Sequence, residues 1–190
     1  MHILYHEQAF VGIAKGEESC YNFLMNTKRI YGYAPIIGEQ SRILILGTMP
    51  SVRSLEEGFY YAHPRNAFWP VLAEAFGWEK PKTAEEKTRL ILENNLALWD
   101  VAGSCIREGS LDSAIREAEA NDFAALFRAY PGIEKVLLNG GTAWSMYRRL
   151  DAARLRPYVK LPSTSPAYTM KYEEKLRIWK CELTGGGEKT

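Results

Sequence analysis

Four short apolar runs, each closed or followed within two residues by glycine, asparagine or proline, do most to limit what this sequence can fold into. They are Arg42-Ile-Leu-Ile-Leu-Gly47, Leu96-Ala-Leu-Trp-Asp-Val101, Ile133-Glu-Lys-Val-Leu-Leu138 and Tyr158-Val-Lys-Leu161. Continuous rather than alternating apolar character marks strands covered on both faces. The segments between them have helical spacing. Phe68, Val71, Leu72 and Ala75 predict a helix over Ala67–Phe76. Thr83 and Glu86 form a Thr-x-x-Glu capping box at the head of a second helix ending near Glu93. Asn121–Tyr130 reads as a third, stopped by Pro131-Gly132. A fourth follows Asn139-Gly-Gly141 and runs to about Leu150, and Lys171–Leu183 is amphipathic. Strands alternating with helices predict an α/β fold: a three-layer α/β/α sandwich around a mostly parallel, four-stranded central sheet.

The 190 residues suit one domain, 1–190, with no internal repeat or linker; 184–190, rich in glycine, read as a flexible tail. Residues 1 to about 40 show no clean period. The cysteines at 20, 105 and 181 are far apart, which excludes clustered thiolate metal sites and a disulfide framework. With no apolar segment long enough for a bilayer and no secretory pattern at the start, the expectation is a cytoplasmic protein with no membrane association. Formal net charge is +1, yet Arg128–Lys180 holds eleven Lys and Arg against four Asp and Glu. That excess reads either as solvated helix faces or as a surface for a polyanion.

Ligands of open α/β sheets gather at the carboxyl ends of strands. No phosphate-binding GxxxxGK[ST], dinucleotide GxGxxG or Gly-x-Ser-x-Gly elbow follows any strand here. Two other loops stand out. The first strand feeds Gly47-Thr48-Met49-Pro50-Ser51, then Gly58-Phe-Tyr-Tyr61-Ala-His63-Pro-Arg-Asn66-Ala-Phe-Trp69. The fourth feeds Leu161-Pro-Ser163-Thr-Ser165-Pro166-Ala167. Asn66 has both an amide donor and a carbonyl acceptor, so it can hold a water; equally, it can cap the helix beginning at Ala67.

This pair of loops resembles the two motifs of the uracil-DNA glycosylase superfamily, and most closely its hypoxanthine (deoxyinosine) branch. The likeness spans about Tyr33 to Trp179, leaving 1–32 as an extension outside it. The resemblance implies a monofunctional DNA glycosylase of base excision repair, releasing deaminated purine by base flipping and a positioned water. No lysine lies in either motif to form a Schiff base. It implies damaged double- or single-stranded DNA as partner, a monomer, and no metal or cofactor. Asn66 takes the catalytic, water-positioning role. Gly47, Thr48, Met49, Tyr61, His63, Asn139 and Ser163 would form the base pocket, with Tyr61 stacking on the base. Pro50, Ser51, Ser54, Ser165, Pro166 and Ala167 would bind the DNA backbone. His63 could instead brace its loop, and Asn139 could cap. Where other branches place Asp, Glu or Asn to handle water, Met49 has a thioether; where uracil-specific relatives have a His, this chain has Ser163 or a neighbour. The alternatives are a uracil or mismatch (G·U/G·T) glycosylase, a non-catalytic nucleic-acid-binding module of the same fold, or a hydrolase of free nucleosides.

Overall fold

A computed structural model describes residues 29–150 and 155–185. The expected N-terminal extension 1–32 lies mostly outside the described residues, as do Cys20 and most of the expected tail, 184–190.

The central sheet contains β2 (Ile43–Gly47), β3 (Leu96–Asp100), β6 (Lys135–Asn139) and β7 (Tyr158–Leu161), in the order β3-β2-β6-β7 and parallel throughout. Side-chain alternation along β2, β3 and β6 sorts the core. Leu44, Leu46, Val136 and Leu138 face one layer, packing on Phe123, Phe127, Met146 and Tyr147. Ile45, Leu98 and Leu137 face the other, among Phe68, Leu72, Leu90 and Trp179. The period of two therefore distributes a continuously apolar strand between two helical layers.

Among the described residues the α-helices are α1 (Val52–Glu57), α2 (Phe68–Phe76), α3 (Ala84–Glu93), α4 (Phe123–Ala129), α5 (Gly141–Leu150) and α6 (Tyr172–Thr184). The Thr83–Glu86 capping box is formed in both directions at the head of α3. The stretch between β2 and α2, which the sequence reading gave no helix, contains α1: Ser51 caps its start by accepting from Ser54 N, and Gly58, at φ 68°, ends it in the left-handed conformation. Six residues are too few to display an apolar period, so only the caps signal this helix.

A second, antiparallel sheet of β1 (Arg29–Tyr31), β4 (Ala102–Ile106) and β5 (Arg116–Ala120) lies outside the sequence reading. Its outer strand, Arg-Glu-Ala-Glu-Ala, is mostly polar and held by Arg29 to Glu117 (3.2 Å) and Glu119 (3.4 Å). Such charge protects an edge strand and also hides it from apolar pattern reading. The connection between β4 and β5 carries Arg107 and Asp112 toward the end of the main sheet.

Candidate active site

The sheet reverses its winding direction at β2, with β3 on one side and β6 on the other, which opens a crevice at the carboxyl ends of these strands. A cleft of about 560 Å³ occupies it. Gly47, Thr48, Met49, Pro50, Ser51, Ser54, Tyr61, Asn66, Asn139, Ser163, Ser165 and Ala167 all line this space, so both sequence motifs meet there. His63 and Pro166 do not line it. His63 Nδ1 accepts from Arg65 N at 3.1 Å, which braces the turn, and Pro166 is exposed outside the lining.

The motifs are joined by Thr164. Asn139, at the end of β6, accepts from Thr164 N (2.9 Å) and donates through Nδ2 to Thr164 Oγ1 (2.8 Å). Thr164 O in turn accepts from Ala67 N at 3.0 Å, one residue past Asn66. Both amide functions of Asn139 are thus engaged in holding the Ser-Pro loop. Asn66 Oδ1 accepts from Phe68 N at 3.0 Å. Asn66 is not the N-cap of α2, which is Ala67 and carries no side-chain cap; the bond closes a turn just ahead of the helix and fixes the amide at the cleft wall. Ser54 is buried, with its hydroxyl accepting from Ala62 N (3.3 Å) and paired with Ser51 Oγ (3.1 Å). Its neighbours occupy it more than solvent does.

Tyr61 is a non-glycine residue at φ 51°. Its ring stacks on Phe68, centroids 3.9 Å apart and planes 21° from parallel. One face is therefore covered and the other is left toward the cleft. Strained backbone at a site residue persists only when the surroundings over-determine it; here the Phe68 stack and the buried hydroxyl do so. Glycine at 47 is what admits this hydroxyl. A Cβ there would stand 2.4 Å from Asp100 Oδ1 and 2.7 Å from Tyr61 Oη.

Asp100, Asp112, Trp144, Lys160 and Tyr168 also line the cleft and were not singled out from sequence. Asp100 closes β3 and is 3% exposed. Burial, reinforced by the charge of Asp112 and only partly offset by Arg107, pushes its carboxyl up to about 8. Asp112 accepts from Thr48 Oγ1 at 2.9 Å and is itself raised by burial. Arg107 donates from Nε to Gly109 O at 2.9 Å and from Nη2 to Pro50 O, while its Nη1 is buried without a partner. The available signal for Asp100 was an acid terminating an apolar run. At the rim, Trp144 lies beneath Arg148 (4.4 Å) and Lys160 (5.6 Å). Among the described residues no group of three or more His, Cys, Asp or Glu is placed to hold a metal ion.

The model of the uracil DNA glycosylase superfamily matches residues 34–183, which takes in the cleft and all four strands of the main sheet. The chain belongs to this superfamily. A hypoxanthine DNA glycosylase of Methanosarcina acetivorans is 37% identical over 137 residues, covering 72% of this chain and 86% of that protein. One of Methanosarcina barkeri is 38% identical over 111 residues, covering 57% and 70%. In three dimensions the chain is similar to a solution NMR structure of an M. acetivorans protein assigned provisionally to the uracil DNA glycosylases. The TM-score is 0.70 at 31% identity, covering 83% of this chain and 99% of that one. No helix of the described residues is long and apolar enough to cross a membrane.

Proposed function

We propose that the protein is a monofunctional DNA glycosylase that releases hypoxanthine from DNA by hydrolysing the N-glycosidic bond. The observation that carries this reading is Asn66, fixed in the cleft wall by Phe68 N and tied through Ala67 to the Ser-Pro loop. With one lone pair of Oδ1 engaged, the other and the two Nδ2 protons are left to orient a water toward C1′. Met49 is 6% exposed and brings no group that activates water. The everted base would lie on the open face of Tyr61, whose other face Phe68 supports. Ser163, Ser165, Ala167, Pro50 and Ser51 border the cleft where the DNA backbone would cross, with hydroxyls and backbone N–H groups suited to phosphate. Lys160 and Arg148 add positive charge beside it. Catalysis by a single chain without metal or cofactor, in the cytoplasm, belongs to the same reading.

The test uses duplex oligonucleotides carrying inosine, xanthine, uracil or a G·T mismatch, followed by alkaline cleavage of abasic sites. Strand breaks at inosine are expected, and Asn66→Ala should reduce single-turnover excision by about 10²–10³-fold. Breaks confined to uracil would favour the second reading, a uracil glycosylase, which the solution structure's provisional assignment supports. Binding without any breaks would favour a non-catalytic module.

A further inference from the structure

The floor of the cleft contains a carboxyl group with one oxygen that no protein group satisfies. Asp100 Oδ2 is buried and without a hydrogen-bond partner among the described residues, and so is the Tyr61 hydroxyl beside this carboxyl. The other oxygen of Asp100 lies over Gly47 beside the Tyr61 hydroxyl. Buried polar atoms are nearly always paired, and one left over at the bottom of a cleft is what a ligand's polar edge satisfies. Resting on the glycosylase reading above, we propose that Asp100 reads the everted base, donating a hydrogen bond to the O6/N7 acceptor edge of a 6-oxopurine.

The geometry carries it in three steps. The Tyr61 ring has one free face, and its hydroxyl end points to Gly47, where the Asp100 carboxyl waits. A base stacked along that ring and extending past the hydroxyl brings its far edge to Asp100. A purine, with two fused rings, is the longer fit. The second step is charge. The groups facing Asp100 are Asp112 from the β4–β5 connection, Arg107 after β4, and Tyr33, Tyr60 and Tyr61 from the loops. Arg107 is the one cation among the described residues that acts on it; two of its nitrogens bond the carbonyls of Pro50 and Gly109, Nη1 is buried without a partner, and its charge only partly offsets the burial of Asp100. The carboxyl therefore retains its proton to about pH 8 and can act as donor near neutrality. The third is the substrate. Hypoxanthine presents two acceptors, O6 and N7, whereas adenine replaces O6 with an amino donor that would oppose the Asp100 proton. A donor at this edge also stabilises negative charge as the purine leaves. Guanine shares the edge, and its pairing with cytosine resists eversion more than an inosine pair does.

The experiment measures single-turnover excision from an inosine duplex between about pH 6 and about pH 9.5 for wild type, Asp100→Asn and Asp100→Leu, with thermal melts as the folding control. Wild-type rate should decline roughly tenfold per pH unit above about 8, where the donor ionises. Asp100→Asn retains a donor at every pH, so it should remain active and lose this alkaline decline. Asp100→Leu should lose about 10²-fold. A folded Asp100→Leu as fast as wild type, or an Asp100→Asn profile with the same alkaline limb, would overturn the proposal. A second measurement needs neither variant nor turnover: binding of wild type to a duplex with uncleavable 2′-fluoro-deoxyinosine, against the undamaged duplex. Preference for the inosine site should vanish above about pH 8; a pH-independent preference would refute the role of Asp100. This arm also separates the two readings. A pH-sensitive preference with no excision at any pH would sustain base reading by Asp100 while the glycosylase assignment fails.

Discussion

Gly47, Asp100 and Tyr61 contend for one point in space, and the site depends on the first having no side chain. Gly47→Ala would place a methyl 2.4 Å from Asp100 Oδ1 and 2.7 Å from Tyr61 Oη, which are packed too tightly to give way without moving the stack on Phe68. We expect a loss of about 1–3 kcal/mol in urea denaturation and a larger fractional loss of excision. Asp100 also leaves a signature in stability. Its folded-state value is raised to about 8, so between the ordinary carboxylate range and that value the folded protein holds a proton that the unfolded chain releases. Stability from this residue is complete at low pH and is lost as pH rises through about 8. Asp112, raised in the same direction, adds to the slope. The expected result is a urea midpoint that falls from about pH 5 to about pH 8, and falls less in Asp100→Asn. A midpoint that rises with pH by the same amount in both proteins would contradict this assignment of charge.

The two motif loops work as one unit because β6 clamps the second of them. Asn139 supplies an acceptor and a donor to Thr164, which is 1% exposed, and Thr164 O holds the turn that presents Asn66. Asn139→Ala removes both partners from a buried residue, at about 1–3 kcal/mol for each group left unpaired. Calorimetric melting should show a combined loss of about 2–6 kcal/mol, with excision falling although Asn66 itself is intact. Asn139→Asp keeps the acceptor and loses the donor, so it should lie between the two. The adjoining Gly140 adopts φ 97° and would meet Ser163 with any side chain, so the loop approaches β6 as closely as backbone allows. The small antiparallel sheet contributes from the opposite side: it delivers Arg107 and Asp112 and thereby sets the charge around Asp100.

Across the whole molecule, the basic C-terminal stretch is divided rather than presented as one face. Lys135 pairs with Glu182 at 3.2 Å, Arg156 bonds Ile133 O and covers Phe127, and Lys175 is buried. Arg148 and Lys160 flank Trp144 at the cleft rim, where a phosphate chain would pass. Binding to duplex DNA should therefore weaken with salt, and Lys160→Ala should lower the slope of log affinity against log salt by about 1. Fluorescence titration at three ionic strengths measures it; an unchanged slope would remove Lys160 from the interface.

The alternation of short apolar runs with helical segments was enough to foresee the parallel four-stranded sheet and its covering helices, because a strand buried on both faces requires apolar residues throughout. The capping box at Thr83 and the Gly58–Trp69 run were equally legible, since caps and turns depend on neighbours in the chain. The polar strand Arg116–Ala120 and the six-residue helix Val52–Glu57 were not, as neither displays a period of its own. Long-range proximity was hidden as well. Asp100 looked like the end of a strand and Trp144 like part of a helix. Their roles come from pairing: parallel strands bring Gly47, Asp100 and Asn139 to one edge from distant parts of the chain, and burial there changes the protonation of an ordinary aspartate. Composition and spacing fix which residues go inside, whereas the charge a buried group carries and the partner it lacks follow from which other strands end beside it.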